Sequence, residues 1–141
     1  MAQTAAARLA APVENVMTRR IVFILEGIPM SQTRALAAQY DYNAFPVVTG
    51  EGRLVGMVTK GDILRAAQAA LSDPGVWQAP VSRFMSRGVL ALRPGDSLEA
   101  AVASLVDSGL RSLPVIDAQS RVVGMVSRND LMSVIGVEPA A

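Results

Sequence analysis

Two stretches decide how this chain is read: Gly56-Met57-Val58-Thr59-Lys60-Gly61-Asp62-Ile63 and Gly124-Met125-Val126-Ser127-Arg128-Asn129-Asp130-Leu131. Each places two apolar residues after a glycine, then a hydroxyl, a base, a small residue and an aspartate. The apolar residues suit a strand. A hydroxyl with an acid three residues on is how a helix opens, the hydroxyl accepting one free backbone N–H and the acid reaching back to another. In that role the motif is purely structural. Glutamate or glutamine is the usual reciprocal cap, however, and the shorter aspartate is expected to reach back less well, which points to an additional use. A helix N-terminus attracts anions through its free N–H groups and dipole. The hydroxyl and the adjacent Lys60 or Arg128 would complete a phosphate cradle, and the aspartate would accept hydrogen bonds from both hydroxyls of a ribose.

Working outward, shifting the chain by 68 positions superimposes residues 13–67 on 81–135 without a gap. Identities recur throughout, among them Val13/Val81, Met17/Met85, Arg19/Arg87, Gly27/Gly95, Pro46/Pro114, Val47/Val115, Gly56/Gly124, Met57/Met125 and Asp62/Asp130. Each copy predicts a short buried strand (21–25, 89–92), a turn, and a helix. The helix is signalled by Ser31, Leu36, Ala37 and Tyr40 in the first copy. In the second, Asp96-Ser97-Leu98-Glu99 leads into one face carrying Leu98, Ala101, Val102, Leu105 and Val106. Strands over 45–48 and 54–58, and over 113–116 and 122–126, are linked by four polar residues and read as hairpins. A last helix opens at Thr59 or Ser127. The expected fold is therefore α+β: two β-α-β-β-α repeats, too small to stand singly, packed sheet to sheet with pseudo-two-fold symmetry and sharing a core. The expected organisation is an N-terminal extension (1–12), repeat 1 (13–67), a linker with Trp77 anchored on the body (68–80), repeat 2 (81–135) and a C-terminal tail (136–141).

Composition bounds the chemistry. The chain has 141 residues, 51% of them hydrophobic and 18% charged, a balance that folds rather than stays disordered. There is no Cys and no His, which removes disulfides, thiolate nucleophiles, imidazole acid–base catalysis and zinc sites built on those ligands. Thirteen basic against twelve acidic residues, spread along the chain, argue against nucleic acid as a partner. No apolar run approaches the length of a membrane helix, and Arg8 interrupts the Ala-rich start before a signal sequence can form, so a cytoplasmic protein is expected.

The strands Phe45-Pro46-Val47-Val48 and Leu113-Pro114-Val115-Ile116, each followed by Arg-x-Val-Gly-Met-Val and Thr/Ser-x-x-Asp, resemble the cystathionine β-synthase (CBS) domain. The tandem is similar to a CBS pair, or Bateman module, over nearly the whole chain. The resemblance implies two clefts between the paired sheets that bind AMP, ADP, ATP or S-adenosylmethionine. Asp62 and Asp130 would hold the ribose, and Thr59 and Ser127 would bond near the ribose or α-phosphate. It further implies that Leu110, Arg111 and Ser112 face Thr59 and Asp62, and that Tyr42, Asn43 and Ala44 face Ser127 and Asp130. Arg111 would then fork onto phosphate oxygens. The expected function is a stand-alone, non-enzymatic regulatory module with no required cofactor. It would be a homodimer that signals to another protein through conformation or dimer arrangement; the alternative is a structural dimerisation module with empty clefts. One departure bears on the sites: Leu25-Glu26-Gly27-Ile28-Pro29 stands where the second copy has Arg93-Pro94-Gly95-Asp96-Ser97. A carboxylate at Glu26 would repel phosphate from the Ser127/Asp130 cleft, so Asp62 is expected to matter more than Asp130.

Overall fold

A computed structural model of the chain describes residues 4–136. The outermost parts of the expected extension and tail, residues 1–3 and 137–141, lie outside the described residues. In chain order the elements are α1 (Ala5–Leu9), β1 (Ile24–Leu25), α2 (Met30–Ala38), β2 (Ala44–Val48), β3 (Leu54–Thr59), α3 (Lys60–Ala70), α4 (Leu98–Ser108), β4 (Ser112–Ile116), β5 (Val122–Ser127) and α5 (Arg128–Ile135). Tight 3₁₀ turns occupy Val13–Asn15, Pro74–Gln78 and Val81–Arg83. The class is α+β, and the β-α-β-β-α order appears twice, its opening strand reduced to a single bridge in the second copy.

Both hairpins form as their polar links predict. β2 and β3 are antiparallel from Ala44 opposite Thr59 to Val48 opposite Leu54, and β4 and β5 repeat this from Ser112 opposite Ser127 to Ile116 opposite Val122. The opening strand differs between the copies. In the first, the strand expected over 21–25 is confined to Ile24 and Leu25, which run parallel to Val47 and Val48, and the ladder continues with the Glu26 N–H on the Val48 carbonyl, 3.1 Å. In the second, the expected strand over 89–92 shrinks to one bridge between Leu92 and Val115. The residue equivalent to Glu26 is Pro94, which has no N–H to continue the ladder. The Arg93 N–H turns instead to the Asp96 carboxylate, 2.8 Å.

Helix starts follow local chemistry as well. Ser97, not Asp96, caps α4, its Oγ accepting the Ala100 N–H at 3.1 Å. α2 begins after Pro29 with no side-chain cap, and its first N–H, from Met30, is taken by the Ala79 carbonyl at 2.8 Å. On α4, Leu98, Ala101 and Leu105 are buried, Val102 is half-buried and Val106 is exposed. The apolar face is thus one residue narrower than its sequence spacing suggests.

The chain divides into two compact units, and these cut across the sequence repeats. One is Val22–Val89; the other combines residues 4–21 with residues 90–136. The core of the first contains Ile24, Met30, Phe45, Val47, Val58, Ile63, Val76, Val81 and Met85. Trp77 packs against it, with the Arg34 guanidinium 4.3 Å from its ring centre. The core of the second contains Val13, Met17, Leu92, Leu98, Leu105, Leu113, Val115, Val126 and Leu131. The buried residues of each unit therefore form a core of its own. The reason is that the segment opening each sequence repeat packs with the other copy. Val81 donates to the Ile28 carbonyl (2.8 Å) in the first unit, and Val13 donates to the Asp96 carbonyl (2.7 Å) in the second. Each copy acquires in this way the buried side chains that about 55 residues lack by themselves.

The same segments reach the far edges of the sheets. Ser86 exchanges backbone hydrogen bonds with Met57 on β3, and Thr18 does so with Met125 on β5. Both contacts depend on glycine: a β-carbon at Gly56 would lie 2.7 Å from the Ser86 carbonyl oxygen, and one at Gly124 would lie 2.8 Å from Met17 Cγ.

Candidate functional site

The two motifs become two helix starts at the ends of β3 and β5. Thr59 Oγ1 accepts the Asp62 N–H (3.1 Å) while Asp62 Oδ2 accepts the Thr59 N–H (2.8 Å). Ser127 and Asp130 reproduce this at 3.2 and 2.8 Å. Aspartate therefore reaches back fully, contrary to the expectation from its length. The cap residue stays extended, with φ −109° and ψ 165° at Thr59 and φ −107° and ψ 166° at Ser127, and its N–H stands within range of a short side chain. As acceptors in these caps, both hydroxyls keep their own proton free to donate.

The neighbouring bases are used differently from the phosphate cradle expected of them. Lys60 Nζ donates to the Tyr40 carbonyl at 3.2 Å, just past the end of α2. Arg128 donates through Nε to the Leu110 carbonyl (3.1 Å) and through Nη2 to the Gly109 carbonyl (3.0 Å) at the end of α4. Carbonyls at a helix C-terminus lack intrahelical donors and carry the negative end of the dipole, so each cation is drawn there.

These clamps hold the segment before each Pro-containing strand against a helix start. The Lys60 N–H bonds the Asn43 carbonyl and the Arg128 N–H bonds the Arg111 carbonyl, both at 3.0 Å. Ala44 lies opposite Thr59 and Ser112 opposite Ser127 in the ladders. Within the unit Val22–Val89, the structure thus gathers Tyr42, Asn43 and Ala44 with Thr59 and Asp62. Within the other it gathers Leu110, Arg111 and Ser112 with Ser127 and Asp130. Tyr42 is exposed and stacks on Tyr40, ring centres 5.8 Å apart, while meeting Phe45 edge-on. Asn43, Leu110 and Arg111 are exposed and Ala44 and Ser112 half-buried. The Arg111 guanidinium has no hydrogen bond or ion pair among the described residues. Glu26 is exposed in the turn after β1.

The two helix starts differ in one respect that the motifs did not reveal. Asp62 is 2% exposed, and its second oxygen, Oδ1, is engaged by Arg65. Asp130 is half-buried, and its Oδ1 has no protein partner among the described residues. The residue equivalent to Arg65 is Ser133, whose hydroxyl turns to the Asp130 backbone carbonyl at 2.7 Å. Comparing the copies one turn beyond the aspartate, at 65 and 133, is the signal that exposes this difference.

Among the described residues, no cluster of three or more acidic side chains is suited to a metal ion, and no helix is long and apolar enough to cross a membrane. The CBS domain model matches residues 13–69 and 81–137. Among curated proteins, the chain is 30% identical over 123 residues to homoserine O-acetyltransferase of Methanohalobium evestigatum, which takes in 87% of this chain but only 24% of that enzyme. Among solved structures, CBSX2 of Arabidopsis thaliana in complex with AMP has a TM-score of 0.78 at 24% identity, covering 87% of this chain and 94% of that one. The CBS domain pair of protein MJ0100, in complex with 5′-methylthioadenosine and S-adenosyl-L-methionine, has a TM-score of 0.75 at 21% identity, covering 90% and 97%. These two structures share its fold. The two matched stretches take in well over half of the residues, and the chain therefore belongs to the CBS domain family, carrying two copies of the domain in tandem.

Proposed function

We propose that this CBS pair is a regulatory module that binds an adenosine-type ligand, AMP, ADP, ATP or S-adenosylmethionine, at its paired helix starts. Occupancy is passed to a further protein through conformation or the arrangement of a homodimer. The observation that carries this reading is the half-buried Asp130 carboxylate, held by the Ser127 N–H on one oxygen and open on the other. An ionised carboxylate accepts only, and ribose hydroxyls are donors that suit it. The Ser127 and Thr59 hydroxyl protons are available to ribose or α-phosphate oxygens. Arg111 is a cation free to fork onto phosphate, and Tyr42, Asn43, Ala44, Leu110 and Ser112 provide apolar and polar walls. The bound adenosine compounds of the two solved CBS pairs support the ligand class. The reading is non-enzymatic and needs no cofactor. Similarity to homoserine O-acetyltransferase covers 24% of that enzyme and does not bring its activity here.

Thermal denaturation with AMP, ADP, ATP, NAD and S-adenosylmethionine tests it. A specific ligand at one hundred times its Kd adds about 2.7 kcal/mol, a shift of several degrees. If none of the five moves the melting temperature, the ligand reading fails, and the capping boxes serve only to start helices in a structural dimerisation module. Calorimetry on variants orders the residues. Asp130→Ala weakens binding more than Asp62→Ala, the reverse of what the Glu26 loop suggests. Arg111→Ala weakens AMP and ATP but leaves adenosine unchanged. Light scattering with and without ligand reports the dimer.

A further inference from the structure

We infer that Arg65 is a specificity-determining latch on the first helix start, so that the chain takes one adenosine-type ligand, at Asp130, where its repeat suggests two. The inference rests on the ligand reading above and concerns which of the two motifs is open. The copies agree at every other step of the motif: strand end, hydroxyl cap, reciprocal aspartate and a base clamped on the preceding helix. They part at 65 and 133. Asp62 is 2% exposed whereas the Arg65 side chain that engages its Oδ1 is 66% exposed, so the carboxylate's contact toward the surface is made through the guanidinium. Oδ2 is committed to the Thr59 N–H and Oδ1 to Arg65.

A buried carboxylate needs such a partner, because an ionised group taken out of water is costly unless it is hydrogen-bonded or paired. The spacing of three residues on α3 puts Arg65 within reach of Asp62 without distorting the helix. At the second start, Asp130 keeps part of its hydration, Ser133 turns away to the backbone, and Oδ1 is left for a ligand. A ligand at Asp62 would have to displace a charge-assisted bond before making its own, whereas one at Asp130 displaces water.

Calorimetry on the full chain, with AMP, adenosine and S-adenosylmethionine as probes, reads the latch directly. The wild type gives one site per chain. Arg65→Ser, which places at 65 the residue type found at 133, adds a second site with affinity within about tenfold of the first, the scale of one charge-assisted bond. Ser133→Arg weakens the original site by about tenfold or more. Melting curves without ligand establish that each variant is folded, and Arg65→Lys, which keeps the charge, retains one site. Two equal sites in the wild type overturn the latch, as does an unchanged single site in a folded Arg65→Ser. Weaker AMP binding in Arg65→Ser with adenosine unaffected also overturns it, since Arg65 would then be a phosphate ligand. Absence of binding by all three probes in every variant instead removes the ligand reading on which the latch depends.

Discussion

A single hydrogen atom separates tolerated from forbidden side chains at the glycine that opens each motif. At Gly56 an added β-carbon meets the Ser86 carbonyl oxygen at 2.7 Å as well as Met85 Cγ at 2.9 Å. At Gly124 the three nearest atoms all belong to the Met17 side chain, which has rotatable bonds with which to yield. Gly56→Ala should therefore destabilise by about 3 kcal/mol and Gly124→Ala by about 1 kcal/mol, the upper and lower parts of the range for overpacking. Urea denaturation measures both, and equal losses would show that the Ser86 backbone yields as readily as a methionine. That these glycines recur at fixed places was plain in the sequence. Their reason was not, because Met85 and Met17 come from the segment that opens the other repeat, and nothing local to Gly56 or Gly124 names them.

At the scale of elements, the hairpins and the starts of α3 and α5 were legible because every determinant is local: short apolar runs, a four-residue polar link, a hydroxyl followed by aspartate. The opening strand of the second copy was misjudged in length because Val89 to Leu92 is apolar enough for a strand, while the missing N–H of Pro94 withdraws the bond that extends its counterpart. The candidate site was legible in kind, from hydroxyl and aspartate. The allocation of Lys60 and Arg128 to helix carbonyls, and of Arg65 to Asp62, depends on three-dimensional reach. Since Thr59 and Ser127 cap helices whichever ligand binds, Thr59→Ala and Ser127→Ala should each cost about 1 kcal/mol with no ligand present. Thr59→Ser should cost much less. A Thr59→Ala variant as stable as wild type would mean that the Asp62 side chain alone suffices to start α3.

For the whole molecule, the decisive property is that each core is completed by residues numbered in the other repeat. Val81 and Val13 are both fully buried, the first among Ile24, Met30 and Phe45 and their neighbours, the second among Leu92, Leu98 and Leu113 and theirs. Truncating either to alanine should cost about 2 kcal/mol, at the lower end for buried aliphatic side chains. The location of the damage is the sharper expectation. Hydrogen exchange should accelerate in β2 and β3 for Val81→Ala, and in β4 and β5 for Val13→Ala, each in the repeat that does not contain the mutated residue. Acceleration within the residue's own repeat would contradict the crossed packing. A sequence repeat shows where a pattern restarts, and says nothing of which copy a restarting segment packs with.

The crossing also sets an order of events during synthesis. The unit Val22–Val89 is continuous, so its core can close once Met85 has left the ribosome. The other unit cannot: Val13 and Met17 are made before Val22–Val89 yet find their partners only when Leu113, Val126 and Leu131 have been added. Those early apolar side chains must wait while a complete neighbour is built, and the final step is a closure between distant parts of the chain, the kind of contact that slows folding. A nascent chain stalled once Val89 had emerged from the ribosome, with Leu113 not yet emerged, would hold one finished unit and an unpartnered segment around Val13 and Met17, and it is there that a chaperone would find apolar surface to hold.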